Sequence, residues 1–427
     1  MNKRTTSAAR MMGIGLIALS MTVTATACGR SGPATAPAAE GGLASAPGFD
    51  GNKITLGVLG VTTGALAEPS GTILEGMQAY YKALNDKGGI AGKYKVDLLV
   101  RDTAYDPAKV IQEYNSSKAN VLAYTQIFGT AMTNAILPDL NADGIIGIPS
   151  SGDGTLLHQP SIMMTTAPAE IDVINGIEWA TSQPGQKNAR VCYAALEGAL
   201  GASSKDALYW GAGKMGLNTG TSVTLPLDGD YTPQIQELRR DGCQIIMTKG
   251  SGVVLTKLLS KAAEVGFAPQ WMAPSSDWIP SMKASPLAAY MQAHLLLVKD
   301  ATIYGDTNAA GMADMMAAHD KYTPNVTPVW LYTNGYSSAM ALTSVIEKAI
   351  ASGDLSRKGM MAAFNSTTAL DFKGLQGNMP WGAPAVRAAS SVYSVIGIDV
   401  STQTGQKIKD FGVEGKTSKG YTFQNKK

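Results

Sequence analysis

The stretch "GVTTGALAEPSGTILEGMQAYYKALNDKGGIAGK", residues 60–93, joins an apolar run of strand length to an amphipathic helix through a glycine-rich connection. The preceding segment, "KITLGVLG", has the nearly continuous apolar character of a buried strand. Apolar residues then recur at helical spacing from Ile73 to Leu84, and the glycines of "DKGGIAG" end the helix. Because α/β proteins hold ligands at the carboxyl ends of their strands, we expect a binding site beside this loop.

The same alternation of strand and helix patterns continues along the chain. "KVDLLVRDT" is a strand pattern, and "PAKVIQEYNSS" is a helix pattern with Pro107 suited to its first turn. "NVLAYTQIFG" and "GIIGIPSSG" are further strands, separated by a helix that begins near Thr130. The second half repeats the scheme through "ARVCYAAL", "CQIIMTKG" and "QWMAP". This alternation predicts an α/β protein with two parallel-sheet lobes.

The amino-terminal residues have the pattern of an export signal. In residues 1–27, basic residues precede an apolar stretch too short to span a membrane with normal flanks. Small residues then lead to Cys28 in "ATAC", which predicts a lipidated cysteine; the alternative is an ordinary cleaved signal with a stray cysteine. Residues 28–49, rich in Gly, Pro, Ala and Ser, are predicted to be a flexible tether. We therefore expect an extracytoplasmic protein attached to the cell membrane only through its lipid.

Composition narrows the class of partner and of chemistry. A formal net charge of +2 with 45% hydrophobic residues is typical of a globular protein and argues against a nucleic-acid partner. The roughly 380 residues after the tether exceed one ordinary core and indicate two domains. Cys192 and Cys243 each begin an apolar strand-like run, and such runs could be neighbours in one sheet. A disulfide and two buried free thiols both remain open.

Patterns typical of enzymes are weak. "GAGKMG", residues 211–216, has the letters of a dinucleotide fingerprint, but it follows a helical segment instead of a strand. His158, His294 and His319 have no metal-ligand spacing, and the chain has no G-x-S-x-G elbow. We therefore expect no cofactor, no metal and no catalytic residue.

An ordered series of motifs resembles the leucine/isoleucine/valine-type periplasmic binding proteins, the type I solute receptors of ABC importers. The family's theme is a strand, a T/S-G loop, a helix ending in N-x-x-GGI-x-G, a strand ending in Asp, and a following "DP". Here these are Thr63-Gly64, Asn85, Gly88-Gly89-Ile90, Gly92, Asp102 and Asp106-Pro107. The resemblance continues through "GIIGIPSSG", "LLSKAAEVGF" and "VWLYTNGYSSAMALTSVIEKA" to "FKGLQGNMPW", so it covers essentially the whole mature chain.

The resemblance implies two doubly wound parallel-sheet lobes, joined by three crossing segments and closing by a hinge over the ligand. By that pattern, lobe one holds residues 50–167 and 298–385, and lobe two holds residues 168–297 and 386–427. The implied partners are a small-molecule solute and an ABC permease in the membrane, and the implied state is a monomer. Two alternatives from other classes are a ligand-sensing receptor component and an exported hydrolase on the same scaffold.

In lobe one, the family's carboxylate grip falls on "FGTAM" (Phe128–Met132) and on "PSSGDG". Strand ends that feed helix N-termini present free N–H groups and a partial positive charge, which suits a carboxylate. Thr130 could cap its helix or bind a solute oxygen, Ser150 and Ser151 could form a turn or do the same, and Phe128 could stack on the solute or pack in the core. The glycine-rich loop after the first strand would let the backbone approach the solute. The lobe-one candidates are Thr63, Phe128, Gly129, Thr130, Ser150, Ser151 and Gly152.

In lobe two, the family supplies an aromatic residue and an acid, whose positions fall near Ser251 and Ser275. In aliphatic amino-acid binders the acid pairs with the ligand's ammonium, and an unpaired buried ammonium costs several kcal/mol. Asp277 could replace the missing acid, as could Asp153 or Glu197; Trp278 could form an aromatic wall or anchor the loop. We therefore expect a small carboxylate-bearing metabolite in preference to an amino acid. The lobe-two candidates are Leu200, Ser251, Ser275, Asp277 and Trp278.

Overall fold

The computed structural model describes residues 43–423, which form two parallel-dominated β-sheets flanked by helices. The predicted signal peptide, Cys28 and most of the predicted tether lie outside the described residues. Within residues 43–423, every helix is too short or too polar to serve as a membrane span. The α/β fold class predicted from the alternating patterns is confirmed.

The first sheet has four strands in the order β2-β1-β3-β4, and all neighbouring pairs are parallel. Its elements are β1 (Lys53–Gly60), α1 (Ala67–Asp86), β2 (Lys95–Asp102), α2 (Pro107–Ser117), β3 (Tyr124–Phe128), α3 (Thr130–Asp143) and β4 (Gly147–Ser150). Local signals set these bounds: Pro107 stands at the first position of α2, and Asp106 caps that helix by accepting from the backbone N–H groups of Ala108 and Lys109.

The second sheet has seven strands in the order β13-β12-β9-β8-β7-β5-β6. The strands from β6 to β9 are parallel, whereas β12 and β13 add antiparallel neighbours at one edge. The elements up to β9 are α4 (Ala169–Ser182), β5 (Val191–Leu196), α5 (Ala199–Met215), β6 (Thr219–Leu225), α6 (Thr232–Arg240), β7 (Ile245–Lys249), α7 (Gly252–Glu264), β8 (Gln270–Pro274), α8 (Pro280–Lys283), α9 (Ala288–His294) and β9 (Leu295–Lys299). The remaining elements are α10 (Met312–Tyr322), α11 (Trp330–Ala351), α12 (Arg357–Ser366), β10 (Ala369–Leu370), β11 (Met379–Pro380), β12 (Val392–Ile398) and β13 (Gln406–Glu414).

Two of the glycines in residues 60–93 lie in a helix instead of a loop, and one of them, Gly76, packs that helix against another. Gly71 and Gly76 lie within α1, so the connection after β1 is shorter than the sequence pattern predicts. A Cβ on Gly76 would stand 2.1 Å from the carbonyl oxygen of Tyr332, and one on Gly335 would stand 1.9 Å from that of Ile73. The close crossing of α1 and α11 therefore depends on the missing side chains of both glycines.

The chain crosses between the two sheets in three segments that meet at Asp300. The first crossing leads into α4, and there the carboxylate of Asp300 accepts from the N–H of Ala167 (2.9 Å) and the hydroxyl of Thr166 (3.3 Å). Asp300 itself follows β9 in the second crossing, and its carbonyl oxygen accepts from the N–H of Gly377 in the third at 2.6 Å. The predicted three-segment hinge is confirmed, and hydrogen bonds to a single residue tie the three segments together.

Strands β5 and β7 are neighbours, as the sequence patterns around the two cysteines suggested. The sulfur atoms of Cys192 and Cys243 are bonded at 1.97 Å, closing a loop of sequence separation 51. Of the two alternatives, the structure therefore has the disulfide, and the pair of free thiols is ruled out.

Candidate functional site

A cavity of about 170 Å³ lies at the carboxyl ends of both sheets. Its walls are the segments that follow β3 and β4 in the first sheet and β5, β7 and β8 in the second. In doubly wound sheets a crevice forms where the strand order reverses. That reversal falls between β1 and β3 in one sheet and between β5 and β7 in the other, so the topology of both sheets predicts a site at this place.

Most of the cavity wall is apolar. Helix α1 and the segment before it contribute three side chains, α11 contributes two, and the remainder come from strand ends, the segment after β2 and the first turn of α5. These apolar and aromatic residues are Leu66, Pro69, Ile73, Tyr105, Phe128, Leu196, Leu200, Trp330 and Leu331. Such a wall suits the hydrocarbon or aromatic body of a small ligand.

Two of the residues that line the cavity, Thr130 and Ser151, bring their hydroxyl groups together. Thr130, the first residue of α3, and Ser151, just after β4, have their hydroxyl oxygens 2.5 Å apart. The N–H of Gly129 donates to the carbonyl oxygen of Ser150 at 3.2 Å, which holds the two strand ends together. A ligand oxygen placed beside this pair could accept from either hydroxyl.

Several helices begin at the cavity wall, among them α3, α4, α5 and α7. Their first residues or caps, Thr130, Ala169, Ala199 and Ser251, all line the cavity. Helix N-termini carry a partial positive charge and unpaired N–H groups, so their convergence favours an anion at this place. Ser251 has a structural role as well, because its hydroxyl accepts from the N–H of Val254 at 3.4 Å.

The cavity wall contains two buried lysines, and each is already paired with carboxylate. Lys249 at the end of β7 lies 3.0 Å from Asp277, measured between Nζ and Oδ1, with both side chains buried. The other carboxylate oxygen of Asp277 accepts from the N–H of Gly250 at 2.9 Å. Asp277, which the sequence analysis considered for the ammonium of an amino acid, therefore has both oxygens engaged by the protein.

The second lysine, Lys299 at the end of β9, faces two carboxylates. Its Nζ lies 2.8 Å from Asp172 Oδ2 and 3.2 Å from Asp300 Oδ1, and it also donates to the carbonyl oxygen of Ala167 at 2.9 Å. Burial opposes the charge on Lys299, but the two carboxylates outweigh it and raise the pKa of its ammonium. Asp172 lines the cavity, and its Oδ1 is buried without a hydrogen-bond partner in the described part of the chain. Burial raises the pKa of Asp172 to about 7, despite the opposing charge of Lys299.

The structure brings nine of the twelve sequence-predicted ligand residues to the cavity. They are Phe128, Gly129, Thr130, Ser150, Ser151, Gly152, Leu200, Ser251 and Asp277. The other three face elsewhere. The hydroxyl of Thr63 donates to the carboxylate of Asp102 at 2.8 Å. Ser275 and Trp278 are both fully buried. The indole N–H of Trp278 donates to the carbonyl oxygen of Thr404 at 3.0 Å. Trp278 thus has the anchoring role that was the alternative to an aromatic wall.

Among the other acids that the sequence offered, Asp153 accepts from Thr155 and does not line the cavity, whereas Glu197 lines it as an exposed side chain. Sequence reasoning missed the buried acid, Asp172, and both lysines. A signal for the lysines was present, because Lys249 and Lys299 are charged residues at the ends of apolar strands. Asp172 gave none, since an acid in the first turn of a helix is ordinary.

Sequence reasoning also missed Tyr105, which packs beside the grip. Its backbone has φ +59°, in the left-handed region that a bulky residue seldom occupies. Its ring meets Phe128 edge-on, with centroids 6.3 Å apart, and covers Gly129 so closely that a Cβ there would stand 2.5 Å from the Tyr105 ring. Strain of this kind is often found where a side chain is held against a ligand.

Comparison with known proteins gives a consistent result. The sequence model of a family described as periplasmic binding protein matches residues 53–396. A fatty acid ABC transporter substrate-binding protein from Thermomonospora curvata has 25% sequence identity and a TM-score of 0.82, with 90% of this chain and 97% of that chain covered. A search of curated proteins found no match.

Two further solved structures share the fold at lower identity. A branched chain amino acid ABC transporter from Thermus thermophilus with bound valine has 15% identity and a TM-score of 0.73, covering 86% of this chain and 98% of that chain. A solute binding protein from R. palustris in complex with 4-hydroxybenzoate has 16% identity and a TM-score of 0.69, covering 85% and 96%.

Proposed function

Since this chain belongs to the periplasmic binding protein family, whose members are extracytoplasmic solute-binding receptors of ABC transporters, we propose that its own ligand is a small carboxylate with an apolar body. The protein would be anchored to the cell membrane by lipid on Cys28 and would act as a monomer. Its lobes, residues 50–167 with 298–385 and residues 168–297 with 386–427, would close over the ligand and present the closed form to an ABC permease.

One observation carries the choice of ligand: a mostly apolar cavity is also lined by the hydroxyl pair of Thr130 and Ser151 and by helix N-termini. The helix N-termini and hydroxyls would hold the carboxylate, and the apolar wall would hold the body. Asp277 supports this choice because Lys249 already neutralises it, which removes it as a partner for an ammonium. The fatty-acid receptor and the 4-hydroxybenzoate complex among the structural neighbours are consistent with it.

An amino acid is the second candidate, because one observation favours it. Asp172 lines the cavity and its buried Oδ1 has no partner among the described residues, so this carboxylate could accept from a ligand ammonium. The two candidates differ in whether an amine is needed, so a panel of ligands with and without one separates them.

Ligand-dependent stabilisation tests the proposal directly. The described residues, 43–423, belong to one compact unit, and the unfolding midpoint of a protein that comprises residues 38–427 should be measured with octanoate, benzoate, 4-hydroxybenzoate, leucine and valine. A ligand at 100 times its Kd adds about 2.7 kcal/mol to the free energy of unfolding. Stabilisation by the carboxylates without an amine is the expected result. Stabilisation by leucine or valine alone would contradict the proposed ligand class and favour the amino acid.

The hydroxyl grip gives a second test with a matched control on the same helix. Thr130→Val should weaken binding of the stabilising carboxylate by about 10- to 100-fold, because a hydrogen bond to a charged group contributes about 1.5–3 kcal/mol. Thr133→Val removes a hydroxyl one turn further along α3, where it donates to the carbonyl oxygen of Gly129 instead of facing the cavity. Calorimetric titration should show an affinity change only in the first variant, and equal changes in both would argue against the grip.

A further inference from the structure

The buried charges around the cavity do not cancel. Lys249 and Asp277 neutralise each other, whereas Lys299 faces both Asp172 and Asp300. Two carboxylates against one ammonium leave one negative charge in a group whose side chains are at most 3% exposed. A buried net charge is costly, and taking up a proton is the usual way in which a protein removes it.

The hydrogen bonds decide which of the two carboxylates holds that proton. Asp300 accepts three donors, from Lys299, the hydroxyl of Thr166 and the N–H of Ala167, so both of its carboxylate oxygens are already engaged. Asp172 accepts from Lys299 on Oδ2, whereas its Oδ1 is buried without a hydrogen-bond partner among the described residues, and Asp172 is one of the residues that line the cavity. The proton therefore belongs on Asp172 Oδ1, where it can be donated into the cavity.

The elements packed against Asp172 bring no second cation within hydrogen-bonding distance of it. Strand β9 and the crossing after it supply Lys299 and Asp300, and Lys249 on β7 weakly favours the charged form. Helix α5 faces α4 with buried Ser203 and Ser204, while its Lys205 and Asp206 are exposed. On α4 itself, the carboxylate of Glu170 accepts from the N–H of Gly154. On α11, the ring centroid of Trp330 lies 5.2 Å from Lys299 Nζ.

We propose that Asp172 binds the solute as a neutral carboxylic acid, with a proton on Oδ1 that it donates to an oxygen of the bound solute. Above neutral pH, Asp172 loses this proton while the site is empty. An anionic carboxylate then binds together with one proton, which returns to Asp172. Because the two charges cancel, the buried net charge of the site is the same before and after binding. The raised pKa of Asp172 supports this reading of the geometry. The inference rests on the proposed carboxylate ligand and makes Asp172 the residue that selects a hydrogen-bond acceptor over an amine.

Asn at position 172 imitates the protonated acid, because its amide oxygen can accept from Lys299 while its NH₂ donates into the cavity. For octanoate, wild-type affinity should fall by about tenfold per pH unit above neutral pH, and Asp172→Asn should bind with little pH dependence. Calorimetric titrations with octanoate at pH 8.5 should be made in phosphate and in Tris buffer, whose ionisation enthalpies differ. The difference in binding heat between the buffers should correspond to uptake of up to one proton per octanoate in the wild type and none in Asp172→Asn. Asp143→Asn, at the far end of α3 about 20 Å from Thr130, is the control and should behave as wild type.

A measurement without ligand tests the proton site itself. Because the folded pKa of Asp172 is raised, the folded protein binds the extra proton between about pH 4 and 7, and its stability falls as pH rises through that window. The unfolding midpoint of Asp172→Asn should therefore match that of the wild type near pH 5 and exceed it at pH 8.5.

The outcomes separate this inference from the proposed function. Octanoate binding without proton uptake, or equal pH dependence in wild type and Asp172→Asn, overturns the inference and leaves the receptor for carboxylates intact. Leucine binding that Asp172→Asn abolishes overturns both, since an ionised Asp172 would then pair with an ammonium. If the panel fails to bind but the stability difference appears at pH 8.5, the proton site stands and the proposed ligand class fails.

Discussion

At the scale of single residues, the charged side chains of the cavity wall show that burial makes an unpaired charge costly and a charge pair strong. Lys249 and Asp277 are less exposed than most charged side chains, at 7% and 1%, and within residues 43–423 neither has an opposite charge other than its partner within ion-pair distance. Their attraction is not screened by water, but either charge alone would be costly. The pair therefore fixes the segment after β8 against the end of β7 and removes two charges from the cavity's electrostatic balance.

Breaking this pair should be strongly destabilising. Lys249→Met leaves Asp277 buried and unpaired, and we expect a loss of about 3–5 kcal/mol in the free energy of unfolding by urea. The double variant Lys249→Met, Asp277→Asn removes both charges while the Asn oxygen still accepts from Gly250, so most of the loss should be recovered. Lys257→Ala, which breaks an exposed pair with Asp228, should change stability little. A double variant as unstable as the single one would show that the pair does not act through its charges.

At the scale of elements, the start of α3 combines a helix N-terminus with a strand end in a conformation that needs glycine. Gly129 has φ +97° and ψ +148°, a combination reserved almost entirely for glycine. Its missing side chain also admits the ring of Tyr105. The grip and the aromatic wall thus depend on each other through one position.

Two glycine variants separate these requirements. Gly64→Ala has a comparable φ of +86° but open space around it, so it should lose only the conformational cost of about 1–2 kcal/mol. Gly129→Ala has the same cost plus a clash with Tyr105, for which overpacking adds about 1–3 kcal/mol. Urea unfolding should therefore give a lower free energy of unfolding for Gly129→Ala than for Gly64→Ala. Only Gly129→Ala should also weaken carboxylate binding. Equal losses would mean that Tyr105 moves aside freely.

At the scale of the whole molecule, the two sheets are bridged at the cavity mouth as well as at the hinge. Glu68 on α1, beside the first sheet, accepts from the N–H and the hydroxyl of Ser281 on α8, beside the second, each at 2.8 Å. Its neighbours Leu66 and Pro69 line the cavity. If the lobes open and close as proposed, opening would break this contact, so the contact should slow the escape of a bound solute.

Removing that contact should change ligand kinetics more than folding stability. In Glu68→Ala, the dissociation rate of a bound carboxylate should rise on the order of fivefold with a nearly unchanged association rate, since interface changes act mainly on dissociation. Stopped-flow displacement measures this, with Glu264→Ala as the control because it breaks only an exposed pair with Lys261. A slower association rate with unchanged dissociation would mean that Glu68 acts before closure instead of holding the closed form.

The sequence by itself determined the elements and the place of the site. Apolar patterns and caps are local, so β1 and α2 have the bounds that their sequence patterns predict, and the family's grip falls on Phe128–Met132 at the cavity. Only the tertiary structure decided how the charges are paired. Lys249 and Asp277 are 28 residues apart and Lys299 and Asp172 are 127 apart, and a charge is neutralised by what lies near it in space. The resemblance to the family places the acid near Ser275, but the fold brings Asp172 to the cavity from α4 and leaves its Oδ1 without a partner among the described residues, which no local pattern could indicate.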